Sequence, residues 1–325
     1  MKKNEYTFRM NKVIDYINQN LDSDLSLQAL ARIATFSPYH FHRIFKVVVS
    51  ESVHDFVNRL RMERAAKLLR HQKSQTVTEI ALQCGFSSAS TFSRSFKEYF
   101  GESPSQYKKT VPKVFQKNSK NCKVFSKNGK ESSANFLYDI HRKADESGVA
   151  HIHRNRFIVE ICTLPDFYIA YDRILHGFNK GIYSERITNA FERSFNWAEA
   201  NELLTSHSKA IGILYDNFDV TTSLNFRYDA GVSINQHVDL LDGEIAIQKI
   251  SGGKYAICRV ERENINSQSF NVAIAELGQA ADFLYGEWLP DSFYQLEDKP
   301  CIEIYHSARS DSKITIDFCL PVIPL

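Results

Sequence analysis

Phe36-Ser37-Pro38-Tyr39-His40-Phe41-His42-Arg43-Ile44-Phe45-Lys46 recurs, about fifty residues later, as Phe86-Ser87-Ser88-Ala89-Ser90-Thr91-Phe92-Ser93-Arg94-Ser95-Phe96-Lys97. Both copies open on Phe-Ser and close on Arg-x-Phe-Lys. In the first, Phe41, Ile44, Phe45 and Val48 fall at i, i+3, i+4 and i+7 and share one side of a helix. Tyr39, His42, Arg43 and Lys46 repeat that spacing on another side. In the second, Phe92, Phe96 and Tyr99 face inward, and Ser90, Ser93, Arg94 and Lys97 face outward. An outward stripe of hydrogen-bonding side chains around an arginine suits the edges of bases, because the planar guanidinium fork matches guanine.

The flanking residues agree. Ser37 can cap the first helix with Pro38 at its first position, and Ser87 or Ser88 can cap the second. A short helix precedes each, Ser26 to Ala34 and Thr76 to Cys84, followed by a turn at Thr35 or Gly85. Helix, tight turn and a second helix with a polar outer stripe is the helix-turn-helix unit. One such hairpin is compatible with a merely solvated polar face; two copies in register point to a shared role. A helix over Asn4 to Leu21 precedes them, with Met10, Val13, Ile14, Ile17 and Leu21 as its buried face. A long helix from Val53 to about His71 joins the units as a strut. Its cations, Arg59, Arg61, Arg64, Lys67 and Arg70, either touch phosphate or are simply solvated.

The charge distribution points the same way. Residues 1 to 110 hold 17 Lys and Arg against 10 Asp and Glu, and residues 111 to 130 hold six Lys and no acid. Residues 156 to 325 reverse the balance, with 14 basic against 24 acidic residues. A basic front suits a polyanion and an acidic back repels one. The 325-residue chain has an ordinary globular composition and room for two or more domains. No apolar run approaches the roughly twenty residues of a membrane span. No apolar signal core follows the first residues, so a cytoplasmic location is expected. Six scattered cysteines without a Cys-x-x-Cys pair suggest buried thiols rather than a disulfide framework. His40-x-His42 and His151-x-His153 lack partners at ligand spacing, so neither metal nor cofactor is expected.

Residues 1 to 110 resemble the DNA-binding domain of AraC/XylS-family transcription regulators. Ile80-Ala81-Leu82-Gln83-Cys84-Gly85-Phe86-Ser87 and Phe92-Ser93-Arg94-Ser95-Phe96-Lys97-Glu98-Tyr99-Phe100-Gly101-Glu102-Ser103-Pro104 carry the resemblance. It implies two recognition helices in successive major grooves of double-stranded DNA at promoter sites, with RNA polymerase as a further partner. Tyr39, His42 and Arg43 would face bases from the first helix, and Ala89, Ser90, Ser93 and Arg94 from the second. Lys46 and Lys97, a turn further on, would meet phosphate. Thr35 is a departure, since the first turn often carries a smaller residue.

From Thr110 to about Arg156 the composition shifts to a linker rich in lysine (Lys113, Lys117, Lys120, Lys123, Lys127, Lys130), with a short amphipathic helix around Ala134 to Ala144. Such a run is a solvated connection or an added non-specific attraction for DNA. Beyond it the pattern becomes strands and long helices. Phe157 to Thr163 and Tyr168 to Ile174 flank Leu164-Pro165-Asp166 as a hairpin. A helix over Ser184 to Leu204 and strands at Ala210 to Tyr215 and Asn225 to Ile234 follow. The series then repeats. Glu244 to Ile250 and Lys254 to Glu261 flank the turn Ser251-Gly252-Gly253, before a helix over Ser267 to Tyr285 and strands at Cys301 to His306 and Lys313 to Pro321. The expected architecture is multidomain: an all-α double helix-turn-helix domain over 1–110, a linker over 111–155, and an α+β domain of duplicated βαββ type over 156–325.

Residues 155 to 323 resemble the GyrI-like effector-binding domain, through Trp288-Leu289-Pro290, Pro300-Cys301-Ile302-Glu303-Ile304-Tyr305 and Arg227-Tyr228-Asp229-Ala230-Gly231-Val232. The resemblance implies a groove between two pseudo-symmetric repeats that takes an organic ligand. Glu303 would line it, Trp288 and Tyr305 would wall it, and Tyr215 would stand in the equivalent place of the first repeat. A buried carboxylate beside aromatic faces favours a cationic or amphipathic effector. The sequence holds no Ser-His-Asp order with supporting glycines and no phosphate-cradling loop, which argues against an enzyme. Two alternatives stay open for this half: a GyrI-like hydrolase of small electrophiles using Glu303 and Tyr305, or a protein-interaction domain.

Overall fold

The computed structural model describes residues 3–72, 74–109, 157–175, 185–217, 220–222, 225–236, 238, 243, 245–263, 267–306 and 313–325. The expected linker, with its lysines, its short helix and the His151-x-His153 pair, lies outside the described residues. The chain divides into two compact units, one helical and one built on a sheet.

The helical unit contains α1 (Lys3–Gln19), α2 (Leu27–Ile33), α3 (Pro38–Val49), α4 (Val53–His71), α5 (Val77–Gln83), α6 (Ala89–Phe100) and α7 (Pro104–Lys109). Side chains start most of these helices by accepting from an otherwise unpaired backbone N–H. Ser26, Ser37, Ser52 and Ser88 cap α2, α3, α4 and α6. Thr76 and Glu79 form a reciprocal capping box on α5. The α2–α3 and α5–α6 turns use the same bonds: Phe36 N–H to Ala31 O, and Phe86 N–H to Ala81 O, both at 3.0 Å. Each turn needs a left-handed residue, Thr35 at φ 54° and Gly85 at φ 78°. Thr35 is the costlier occupant. Arg9 holds that turn by donating to the carbonyls of Ala34 (3.0 Å) and Thr35 (3.1 Å).

Aromatic rings seal both helix-turn-helix pairs of the helical unit. Phe41, Phe45 and Phe56 stack edge to face, as do Phe92, Phe96 and Tyr107. The buried seam of α3 runs through Phe41, Phe45 and Val49, while Ile44 and Val48 are half-buried. The seam is thus centred one position away from the expected Val48.

The second unit carries β1 (Val159–Leu164), β2 (Phe167–Ile174), α8 (Glu185–Ala200), β3 (Ala210–Leu214), β4 (Tyr228–Ile234), β5 (Ala246–Ile250) and β6 (Gly253–Glu263). It continues with α9 (Ser267–Phe283), a π-helical turn (Leu284–Trp288), α10 (Leu289–Asp291), β7 (Tyr294–Leu296), β8 (Cys301–Tyr305) and β9 (Lys313–Pro324). Eight strands run in the order β1-β6-β9-β8-β3-β4-β2-β5, and β7 pairs with β9. Exchanging β1, β2, β3 and β4 with β5, β6, β8 and β9 leaves that order unchanged, as an internal duplication requires. The helices obey the same exchange, α8 lying on β2 and β4 and α9 on β6 and β9.

Two expected connections are corrected. Leu164-Pro165-Asp166 does not close a hairpin: β1 pairs with β6, and β2 with β4. Nor does Ser251-Gly252-Gly253, since β5 lies beside β2 and β6 beside β1 and β9. Each break passes a chain from one repeat to the other, so each repeat lends its first strand to its twin. The two breaks touch. Gly252 N–H donates to Asp166 Oδ1 at 2.9 Å, and a Cβ on Gly252 would lie 2.2 Å from Leu164 O. The helix expected through Tyr285 also changes form, because Pro290 lacks the N–H that would continue the ladder. It widens into the π turn from Leu284.

Candidate functional site

On α3, Tyr39 is 75% exposed, Arg43 and Lys46 are exposed and His42 is half-buried. The Arg43 guanidinium lies 5.9 Å from the Tyr39 ring centre, so the two form one surface feature. On α6, Ser90, Arg94 and Lys97 are exposed, and Ala89 and Ser93 are half-buried. Tyr39, Arg43 and Lys46 on α3, and Ser90, Arg94 and Lys97 on α6, sit opposite the buried phenylalanines, whereas His42, Ala89 and Ser93 lie nearer the apolar stripe. Ser37 and Ser88 fix where each helix begins and therefore which side chains reach outward.

The strut α4 separates its cations. Arg59 is buried, donating to Glu51 (2.5 Å) and Glu63 (3.2 Å). Both readings of Arg59 as a phosphate contact or a solvated cation are corrected: two carboxylates hold it inside the unit. Arg61 is half-buried, and Arg70 lies 4.4 Å from the Tyr107 ring centre.

In the second unit, Glu303 is 4% exposed. Its Oε2 accepts from Tyr228 Oη at 2.7 Å and Tyr305 Oη at 2.8 Å. Phe191 of α8 packs edge-on against both phenols. Gly212 stands directly opposite Glu303 where β3 meets β8, the junction of the two repeats. A Cβ there would fall 2.0 Å from Tyr228 Oη, so only glycine leaves room for that hydroxyl. Phenols are neutral donors. They satisfy the carboxylate's hydrogen bonding without supplying a positive charge to pair with it.

The structure joins Glu303 and Tyr305 but leaves Trp288 and Tyr215 in other settings. Trp288, on the π turn, stacks on Tyr294 at 5.9 Å. The expected equivalence of Tyr215 is corrected. It follows β3 by one residue, and its hydroxyl donates to Asp229 at 2.7 Å. A shift of one residue along a strand turns a side chain to the opposite sheet face. The true counterpart of Tyr215 is His306, which follows β8 by one residue and bonds Asp317 at 2.7 Å. Arg173 and Arg259 complete two matching clusters, each directly across the ladder from its aspartate. Burial alone would raise Asp317, but Arg259 and His306 outweigh it and hold the carboxyl at about 2. Tyr228 took the place expected for Tyr215. Its cue was the motif Arg227-Tyr228-Asp229, but only strand register shows which of its side chains meets Glu303.

A helix-turn-helix domain model matches residues 30–110, and a GyrI-like small molecule binding domain model matches residues 158–323, just over half of the chain. The chain belongs to the GyrI-like family. Its amino-terminal unit is an AraC-type helix-turn-helix DNA-binding domain. An uncharacterized HTH-type transcriptional regulator of Staphylococcus aureus strain COL is 38% identical over 106 residues, 33% of this chain and 14% of that protein. One from Haemophilus influenzae is 39% identical over 103 residues, 32% of this chain and 34% of that protein. This chain therefore spans a minor part of those relatives. A Chromobacterium violaceum transcriptional regulator described as AraC-type has a solved structure 27% identical, covering 31% of this chain and 88% of that one, with a TM-score of 0.29. Among the described residues of this GyrI-like protein, no helix is long and apolar enough to cross a membrane, and no cluster of ligating side chains could hold a metal.

Proposed function

We propose that the protein is a cytoplasmic transcription regulator rather than an enzyme, reading one duplex site through α3 and α6 and binding a small organic cation or amphipath beside Glu303. One observation carries the reading: two equivalent helix-turn-helix units in one chain, each with an exposed arginine-centred stripe. Two rigidly joined units suit two successive turns of a major groove, about 34 Å apart, without requiring a palindrome. Promoter DNA is then the macromolecular partner, with RNA polymerase as a second.

Binding to a site recovered by selection from a random duplex library, titrated by fluorescence anisotropy, tests this. Arg94→Ala should cost about 1–3 kcal/mol and relax preference at one base position. Lys97→Ala should weaken every duplex alike and lower the salt slope by about one. Wild-type protein that ignores every duplex in dilute buffer would refute the reading.

A further inference from the structure

Arg61, in the middle of α4, donates to the carbonyls of Leu21 (2.8 Å) and Ser23 (2.9 Å). Its guanidinium also fills the space beside Gly85, where an added Cβ would lie 2.8 Å from Arg61 Cζ. One side chain thus ties the turn entering the first helix-turn-helix unit to the turn inside the second. Beside it opens a cleft of about 520 Å³. Its lining includes Ser26 at the start of α2, His42 on the outward side of α3, His54 and Asn58 on α4, Arg61 and Gly85. Asp24, also on the lining, is engaged by the Ser26 N–H at 2.9 Å and hydroxyl at 3.2 Å.

The cleft therefore lies between the two recognition units, bordered by the reading stripe of one and the turn of the other. Where two successive major grooves are entered from one side, the minor groove and its flanking phosphate ridges lie between them. Pockets of roughly 300–1,000 Å³ take molecules well beyond the size of a free phosphate ion. A sugar–phosphate segment suits this one better.

We infer that the cleft seats the DNA backbone between the two grooves, with His54 and Asn58 donating to phosphate oxygens and Arg61 supplying positive charge from its floor. The inference rests on the DNA-binding reading and adds a backbone clamp outside both recognition helices. The His54 side chain is 89% exposed; Asp55 Oδ1 lies 3.7 Å from its Nδ1, which leaves Nε2 for a phosphate oxygen, and a side chain so exposed can be replaced without disturbing the fold.

The test is anisotropy with full-length protein on a selected site and on an unselected random duplex. His54→Ala and Asn58→Ala should each weaken both duplexes by about tenfold, as loss of a hydrogen bond to a charged group does. Thermal melting of each variant should match wild type. Undiminished affinity on both duplexes overturns the clamp while leaving the regulator reading intact. Loss confined to the selected site also overturns it, since that is the mark of a base contact. If wild type binds neither duplex, the reading beneath it fails as well.

Discussion

Residues of one chemical type have taken different roles in this protein, and burial decides which. Arg43 and Arg94 lie exposed on their helices, whereas Arg59 is locked between Glu51 and Glu63. In sequence all three are cations on amphipathic helices; only packing separates an exposed stripe from an internal brace. His71, the last residue of α4, shows the same dependence. Burial first, and then the nearby charges of Arg70 and Lys67, push its pKa from 6.5 down to about 3. The folded state thus keeps His71 neutral where the unfolded chain takes up a proton. Its contribution is intact above pH 6.5 and is lost as pH falls from there toward 3. Relative to His71→Gln, the wild-type helical unit should lose about 2 kcal/mol by pH 5. Melting followed by far-ultraviolet circular dichroism across that range checks it; parallel pH–stability curves for the two proteins would rule it out.

At the scale of elements, the helices were legible and the strand partners were not. The helical unit was readable because a helix satisfies its own backbone, and its caps and apolar spacing are local. Ser37-Pro38, the Thr76–Glu79 box and the phenylalanine stripes placed each helix within a few residues. Strands were located nearly as well by alternation, but a strand borrows its hydrogen bonds from elsewhere in the chain. Pro165-Asp166 and Ser251-Gly252 have the composition of hairpin turns and serve instead as crossing points between repeats. Gly252→Ala tests the crossing. Its Cβ would meet Leu164 O and Pro165 C within 2.5 Å, both backbone atoms with little freedom to move. The sheet unit should lose about 1–3 kcal/mol, read as a lower melting temperature with the helical unit unaffected. A true hairpin turn would tolerate alanine there, and an unchanged melting point would mean the breaks do not pack together.

For the whole molecule, regulation requires that effector and DNA favour different states, and the coupling must be reciprocal. An organic cation that changes DNA affinity by some factor must see its own affinity change by the same factor when DNA is present. A thermal-shift screen of apolar organic cations on the full chain tests the proposed effector class and supplies a compound for the next measurement. Glu303→Gln keeps an acceptor for Tyr228 and Tyr305 but removes the charge, so it should lower that compound's affinity at least tenfold, measured by calorimetry. Equal affinity in the variant would exclude Glu303 as the anchor.

Local order was written into the chain: the two helix-turn-helix copies, their caps and stripes, and the duplicated strand–helix pattern. These are short-range properties, set by side-chain periodicity and backbone chemistry within a few residues. The folded arrangement alone decided that Arg59 is internal, that the repeats exchange their first strands, and that Tyr228 rather than Tyr215 meets Glu303. The partners of Arg59 are near in sequence, but its burial is not a local property. The strand exchange and the Tyr228–Glu303 bond depend on which distant residues become neighbours, and a one-residue difference in strand register sends a side chain to the other face of the sheet.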